Sequence, residues 1–186
     1  MNQFKDLSQN LATHLGQLQG KKIFIFGDVG IDEYVNGTVS RISPEAPVPV
    51  VEVEETSKKL GLSGNVAANV KSLGGEPLLF SLVGADQNAE NLSGLLSKKG
   101  ISTKNLMVDS SRKTTTKLRV MSGQHHVVRV DYENKNQVEE KTLKSYADSI
   151  EDGVSSCDAL IIQDYAKGQI SAQSCQWVIK KKKKHN

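Results

Sequence analysis

The chain has 186 residues, of which 37% are hydrophobic and 24% are charged, a composition typical of a globular protein with one real core. The formal net charge is +3, but it becomes −2 without the five lysines of the run 180–184. Aromatic residues make up only 5% of the chain, so bases would find little to stack on and we expect no nucleic-acid partner.

The termini and the cysteines exclude other classes. The first 20 residues place Lys5 and Asp6 among apolar positions and contain no continuous apolar run, so we expect neither a secretory signal nor a membrane partner. The chain has two cysteines, Cys157 and Cys175, and they lack the spacing of metal ligands. This use of cysteine is typical of a protein in a reducing compartment. We therefore expect a cytoplasmic protein without a metal site.

The first half of the chain alternates between helical and strand patterns. Leucines at steps of three and four predict an amphipathic helix over 4–18. The apolar run 23–26, closed by a glycine, predicts a strand buried on both faces. Prolines and β-branched residues over 33–55 predict a strand pair outside the main sheet. A helix rich in small residues over 64–73 and a core strand over 78–83 follow.

The second half continues this alternation. It predicts a helix over 89–99, a hairpin of 114–121 and 126–131, a helix over 138–150, a buried strand over 159–162 and a last helix from Ser171 into the lysines. Alternating strands and helices predict an α/β fold with a mostly parallel central sheet and flanking helices. The segments 33–55 and 114–131 predict a small β lid, and function is expected at the carboxyl ends of the core strands.

Two aspartates, Asp28 and Asp32, follow the first predicted strand in the motif GDVGID. Carboxylates at such an edge are suited to accept hydrogen bonds from sugar hydroxyls. The alternative is a tight turn in which the aspartates cap the backbone. A dinucleotide site is not indicated, because the motif lacks the GxGxxG spacing.

A second candidate lies in the motif GLSGNVAAN, which we interpret as a loop that enters a helix. Gly61 would let a ligand approach the backbone closely, and the start of the helix favours anionic or hydroxyl-rich groups. The alternative is a tight loop before a helix that packs its alanines on the sheet. Asn65 favours the binding role, because its amide can both donate to and accept from a sugar.

The remaining candidates are cations and the motif DYAKG. Lys117 and Arg119 alternate along the first hairpin strand and Arg129 lies on the second, so the three could clamp a phosphate. The alternative is a solvated face of the hairpin. Asp164 and Lys167 follow a buried strand and should emerge at the same sheet edge as Asp32, a convergence that packing alone does not explain.

Five segments in order carry a family resemblance: GDVGID, SRISPEAPVPVVEV, GLSGNVAANV, TKLRV and QDYAKG. Together they resemble the ribokinase-like (PfkB-type) carbohydrate kinases, and most of all the D-glycero-β-D-manno-heptose 7-phosphate kinases, over residues 22–168. The resemblance implies a ribokinase-like fold. It also implies phosphorylation of a sugar hydroxyl with ATP and Mg²⁺, which supplies ADP-heptose for bacterial lipopolysaccharide or surface glycans.

The resemblance also implies roles for the candidate residues. Asp32 matches the aspartate that binds sugar hydroxyls, Asn65 the asparagine of the glycine loop, and Gly61 the first glycine of a pair. Asp164 matches a polar residue that lines the cleft. The cations match residues suited to the phosphate of the substrate, namely Lys117, Arg119, Arg129 and Lys167.

Two residues depart from the family pattern. Leu62 replaces the second glycine of the pair and adds bulk where the backbone should approach the sugar. Gly30 stands where relatives usually carry a larger side chain. We therefore expect an altered affinity or specificity for the sugar.

A larger departure concerns the end of the chain. The family continues into a magnesium segment resembling NPNxxE and into a GAGD loop with the anion hole and the catalytic base, and neither motif occurs in this sequence. We therefore interpret 1–179 as the N-terminal part of a kinase domain, with an incomplete sheet. Such a fragment would hold no catalytic residue, bind neither ATP nor Mg²⁺, and be inactive alone.

The lysine run suggests how such an end could arise. We interpret 180–186 as an aberrant lysine-rich tail, because five lysines imply an adenine-rich message in which the reading frame can slip. The alternative is a genuine basic tail on a non-catalytic sugar-phosphate-binding or dimerisation module.

Relatives dimerise through the lid sheet, so a homodimer is expected as well.

Overall fold

A computed structural model describes residues 15–184, and these form two four-stranded sheets with helices on both faces of one of them. The strands are β1 (Lys22–Gly27), β2 (Val29–Ile42), β3 (Pro49–Leu62), β4 (Glu76–Val83), β5 (Leu106–Val108), β6 (Thr115–Ser122), β7 (His125–Tyr132) and β8 (Ala159–Gln163). The helices are α1 (Ser63–Ser72), α2 (Gln87–Lys98), α3 (Glu140–Ser145), α4 (Ala147–Ser156) and α5 (Ala172–Lys184). The helix predicted over 4–18 lies largely outside the described residues.

The core sheet has the strand order β5-β4-β1-β8, and all of its pairs are parallel. Helices α1 and α2 cover one face, where Ile25 packs with Ala67 and Leu92. Helices α3, α4 and α5 cover the other face, where Phe26 packs in one cluster with Val178. This two-sided cover is the reason why the apolar run of β1 has no polar alternation. The predicted α/β fold with a parallel central sheet is confirmed.

The second sheet, which we call the lid, has the order β3-β2-β6-β7. Strand β2 pairs antiparallel with β3 and parallel with β6, and β6 and β7 form the predicted hairpin around Gly123, whose φ of 58° suits a glycine. The β2–β3 pair is longer than the predicted segment 33–55. It begins at Val29 because Val29 and Ile31 are buried in the core, so the lid grows directly out of the core.

One helix was predicted over 138–150, and this prediction is wrong: the chain forms α3 and α4 with Tyr146 between them. The Tyr146 hydroxyl donates to the carbonyl of Val108 at 2.9 Å, and its ring lies edge-on to Phe80. This anchor to β5 holds Tyr146 at φ −109° and ψ 15°, outside the α-helical region. Strand β5 was not predicted, because three residues are too short to show a pattern.

The lysine run continues α5 through Lys184. Lys181 pairs with Glu151 of α4, and the Lys182 ammonium donates to the carbonyl of Cys157 at 2.6 Å. The run that we interpreted as a tail from residue 180 therefore shows no break from the preceding helix. No helix within residues 15–184 is long and apolar enough to cross a membrane.

Candidate functional site

The candidate site lies where the lid joins the carboxyl edge of the core sheet. Asp28 is the single residue between β1 and β2, and Ser63 begins α1 directly after β3. The Ser63 hydroxyl donates to the Asp28 carbonyl at 2.7 Å. This hydrogen bond links the connection between β1 and β2 to the start of α1. Asp164 follows β8 at the same edge. In a parallel α/β sheet this is the edge at which ligands bind.

Asp28 is buried, with 3% of its surface exposed. The backbone N–H groups of Tyr165 and Lys167 donate to its Oδ2 at 2.9 and 3.1 Å, and that of Gln169 donates to its Oδ1 at 3.3 Å. The carboxylate is therefore committed to the loop that follows β8. This geometry agrees with the alternative interpretation of Asp28, in which the aspartate caps backbone N–H groups. It does not provide the expected contact of Asp28 with a sugar hydroxyl.

Lys167 of the same loop makes an ion pair with Glu133, which follows β7. Its Nζ lies 2.6 Å from Oε2 of Glu133, and both side chains are 12% exposed. The close Lys167 ammonium holds the pKa of the Glu133 carboxyl below its usual value. The guanidinium of Arg112 donates to the carbonyls of Lys167 and Asn136 at 3.5 and 3.4 Å. A phosphate contact of Lys167, as expected from the sequence, would require the pair with Glu133 to break.

Asp164 is exposed at the predicted sheet edge. Its Oδ1 accepts from the backbone N–H of Ala166 at 2.7 Å, which forms a local turn in which Ala166 adopts a φ of 56°. The side chain therefore shapes the loop and still faces solvent. It lies on the core side of the site, opposite the lid.

The strand register gathers the other candidates on one surface, which we call the polar face of the lid. Asp32 of β2 lies opposite Lys117 of β6, Tyr34 lies opposite Arg119, and Arg119 lies opposite Arg129 of β7. Directly opposed residues on paired strands project to the same side. The three predicted cations therefore share a face, and Asp32 joins them in the lid rather than standing at the edge of the core sheet.

Arg119 is tied to Asp32. Its Nη1 donates to Asp32 Oδ1 at 2.7 Å, and the guanidinium carbon lies 5.3 Å from the centroid of the Tyr34 ring. Both charged side chains are partly shielded, with 18% and 27% exposed. Ion pair and ring together fix the guanidinium near the centre of the polar face.

Arg129 is held differently. Its Nε and Nη2 donate to the two carboxylate oxygens of Asp131 at 2.9 and 3.1 Å, a bidentate arrangement. More than half of the Arg129 side chain, 57%, remains exposed. Two like charges on directly opposed strand positions repel each other, and a separate carboxylate beside each arginine offsets this repulsion.

Gly61 and Asn65 differ in their surroundings. A Cβ on Gly61 would lie 2.9 Å from Asp32 Oδ2, so the glycine leaves room for that carboxylate. Gly61 and Leu62 are the last residues of β3 and α1 begins at Ser63, so the predicted loop is absent. Asn65 lies in the first turn of α1 with an exposed side chain, where it is free to contact a ligand.

The sequence analysis missed several residues of this region. Lys59 lies on the polar face of the lid, where its Nζ is 5.2 Å from the centroid of the Tyr34 ring. The alternation of Lys59 with Gly61 would have indicated it, had 56–62 been interpreted as a strand. Arg112 and Glu133 lie in connections without periodicity, so no local pattern could indicate them. Within residues 15–184, no cluster of three or more His, Cys, Asp or Glu could hold a metal ion.

A parallel core sheet between helices, with a second sheet that grows from its carboxyl edge and carries carboxylate and cationic groups, is the architecture of ribokinase-like carbohydrate kinases. The sequence profile described as "pfkB family carbohydrate kinase" matches residues 17–186. The chain therefore belongs to the pfkB family of carbohydrate kinases, and the resemblance indicated by the motifs is confirmed.

Individual relatives agree with this assignment. The chain is 40% identical over 152 residues to the bifunctional protein HldE of Caulobacter vibrioides. The aligned region covers 82% of this chain and 31% of that protein. It is 37% identical over 166 residues to HldE of Helicobacter pylori, covering 89% and 36%. The chain thus spans about a third of the length of these relatives.

The fold is shared with solved kinase structures. A ribokinase from Arabidopsis thaliana, complexed with ribose and ATP, superposes with a TM-score of 0.63 at 13% identity. The match covers 90% of this chain and 51% of the ribokinase. At this identity the likeness shows the fold and does not identify the substrate.

Proposed function

We propose that this chain forms the sugar-phosphate-binding side of a kinase domain that phosphorylates heptose 7-phosphate during ADP-heptose synthesis for lipopolysaccharide. The observation that carries the proposal is the polar face of the lid, where Asp32 stands within one cluster of cations. A carboxylate suits sugar hydroxyls, and the cations suit a phosphate. The motif resemblance and the relatives named HldE support heptose as the sugar.

The proposed roles follow from which groups are free. Asp32 uses Oδ1 for Arg119 and keeps Oδ2 beside Gly61, where it can accept from a hydroxyl. The exposed amide of Asn65 contributes a second sugar contact. Lys117, Arg119 and the exposed fork of Arg129 hold the phosphate. Asp28 and Lys167 position the loop after β8, and Asp164 borders the cleft from the core side.

The whole activity requires ATP and Mg²⁺, which the family implies. The described residues do not fit the metal, because no cluster of three or more His, Cys, Asp or Glu side chains exists between residues 15 and 184. These residues therefore provide no metal site for phosphoryl transfer. We propose that the 186-residue chain alone binds the sugar phosphate in the cytoplasm and does not transfer a phosphoryl group.

Calorimetry on the 186-residue chain tests this function. Heptose 7-phosphate should bind more tightly than heptose, because charge-assisted contacts are worth about 1.5 to 3 kcal/mol each before desolvation costs. Asp32→Ala should weaken the binding of both sugars, and Arg119→Ala should weaken only that of the phosphorylated one. Equal affinity of the wild-type chain for the two sugars would contradict the proposal, as would binding of the phosphorylated sugar that Arg119→Ala leaves unchanged.

A second role, self-association through the lid, is favoured by the face opposite the polar one. The register places apolar side chains of β6 and β7 side by side on it, and three remain well exposed: Val128 at 49%, Val130 at 39% and Tyr132 at 44%. A contiguous apolar surface of this kind favours a protein partner. We propose a second copy of the chain as that partner.

A further inference from the structure

The polar face of the lid carries a cation that no motif of the sequence indicated. Lys59 lies on β3 directly opposite Asp32, with an exposed side chain. We propose that Lys59, positioned by the ring of Tyr34, binds the phosphate of the substrate as a phosphomonoester dianion, together with Lys117 and Arg119. This inference rests on the proposed function and names a specificity-determining residue for it.

The first argument is the charge of this surface. Around the stretch of β2 from Asp32 to Tyr34, the register places four cations and two carboxylates on one face: Lys59, Lys117, Arg119, Arg129, Asp32 and Asp131. This is an excess of two positive charges. A phosphomonoester carries about −1.5 to −2 charges at neutral pH, so a single phosphate balances this stretch of the face.

The second argument concerns which cations are free. Arg119 uses Asp32 and Arg129 uses Asp131 as ion-pair partners. Between residues 15 and 184, no carboxylate lies within 4.0 Å of the ammonium groups of Lys59 or Lys117. The excess positive charge is therefore located on two lysines that flank Asp32 from opposite sides, one on β3 and one on β6.

The third argument is the position of the Lys59 ammonium. It lies 5.2 Å from the centroid of the Tyr34 ring, and the Arg119 guanidinium carbon lies 5.3 Å from the same centroid. Cation–π contacts hold both groups around one ring. Two cations at one ring without a shared carboxylate repel each other, and an anion bound close to them would offset the repulsion.

The structure also distinguishes Lys59 from Lys167, one of the two lysines that the motif resemblance indicated. Lys167 is 12% exposed and paired with Glu133, whereas Lys59 is exposed and has no ion-pair partner among the described residues. A ligand that approaches the polar face meets Lys59 without breaking an existing ion pair. We therefore assign the lysine contact on the β3 side to Lys59.

Lys58 provides a matched control. It is the neighbouring residue, projects to the opposite face of the lid, and lies 3.6 Å from Glu33. Lys58→Met and Lys59→Met remove the same charge and nearly the same side chain. Calorimetry on the 186-residue chain with heptose 7-phosphate should show a loss of at least about tenfold in affinity for Lys59→Met. Lys58→Met should change it by less than about twofold, and the affinity for heptose should not change in either variant.

Two further variants test the role of the ring. Tyr34→Phe keeps the aromatic face and should bind heptose 7-phosphate as the wild-type chain does, whereas Tyr34→Leu should lose affinity for it. Circular dichroism and a thermal melt confirm that each variant is folded. If Tyr34→Phe loses as much affinity as Tyr34→Leu, the hydroxyl rather than the ring is responsible, and the positioning role is overturned.

The outcomes separate this inference from the proposed function. If the wild-type chain prefers heptose 7-phosphate over heptose, but Lys59→Met and Lys58→Met bind it equally well, the Lys59 assignment is wrong and the proposed function stands. If the wild-type chain shows no preference for the phosphorylated sugar, the proposed function fails, and the Lys59 assignment fails with it. Loss of the preference in Lys59→Met alone supports both.

Discussion

The side chain of Leu62 occupies the space beside Gly30 on the neighbouring strand. A Cβ built on Gly30 would lie 3.2 Å from Leu62 Cδ1 and 2.7 Å from the carbonyl oxygen of Thr115. The two residues that depart from the pattern expected from the resemblance are therefore in contact. The Leu62 side chain fills space that a side chain at position 30 would otherwise occupy. Gly30 is two residues from Asp32 in the chain, and Leu62 is next to Gly61.

Leu62 also has an unusual backbone conformation, which leads to the first prediction. Its φ of 55° and ψ of −133° lie in a region that only glycine adopts without strain. Leu62→Gly should therefore be more stable than Leu62→Ala by about 1 kcal/mol, although alanine removes less of the buried side chain. Urea unfolding of the two variants measures the difference. A more stable alanine variant would show that the backbone at this position is not strained.

The second prediction concerns Asp28. Asp28→Asn replaces an acceptor of three backbone N–H groups by an amide whose NH₂ cannot accept, so the loop after β8 should loosen. We expect a loss of about 1.5 to 3 kcal/mol in the free energy of unfolding. Hydrogen exchange should also accelerate at the amides of Tyr165, Lys167 and Gln169.

Asp164→Asn is the control for this experiment, because Asp164 is exposed and accepts one local hydrogen bond. It should change the stability by less than about 0.5 kcal/mol. If Asp28→Asn and Asp164→Asn have equal effects, Asp28 does not hold the loop, and a direct role in binding sugar becomes the better explanation of this residue.

The third prediction is a pH dependence that arises from Glu133. The close Lys167 ammonium lowers the pKa of Glu133 below its ordinary value of 4.5. A lowered pKa in the folded state means that the stabilisation is complete above pH 4.5 and is lost as the pH falls through the folded-state pKa. The stability advantage of the wild-type chain over Lys167→Met should therefore be constant at neutral pH and shrink in acid.

Denaturant unfolding from pH 7 to pH 3 measures this advantage. Lys141→Met is the control, because Lys141 pairs with Glu139 at a site where the two side chains are 82% and 67% exposed, and such pairs contribute little. An advantage over Lys167→Met that stays constant down to pH 3 would show that the Glu133–Lys167 pair does not stabilise the fold.

The sequence predicts best the elements that show a pattern among neighbouring residues of the chain. The run of β1 is apolar because it is covered on both faces, and the spacing of Lys117 and Arg119 follows from the two-residue period of a strand. Both predictions needed only neighbouring residues, and both agree with the structure.

The sequence did not indicate which side chains pair with each other in the tertiary structure. Asp28 and Asp32 belong to one motif, yet one caps a loop more than 130 residues away in the chain and the other pairs with Arg119. Lys167 precedes Gly168 and Lys59 lies two residues before Gly61, and only the position of Glu133 decides which of the two lysines has a partner. Such pairings arise when distant segments pack together, so no spacing within the sequence indicates them.

The last prediction concerns the apolar face of the lid. Val128→Asp places a charge among Val130, Leu118 and Val120, the neighbours that the register puts on the same face. If two copies of the chain cover this face, the charge would be buried in the interface, where an unpaired carboxylate is costly. Sedimentation velocity should therefore show a dimer for the wild-type chain and a folded monomer for Val128→Asp.

Val108→Asp is the matched control for that experiment, because Val108 is equally exposed, at 55% compared with 49% for Val128, but lies on the edge strand β5 of the core sheet. This variant should remain dimeric, since the same change of charge falls away from the lid. A monomeric wild-type chain at micromolar concentration would contradict the proposed interface. Equal dissociation by the two variants would place the contact between copies elsewhere, because a lid interface responds only to a charge on the lid.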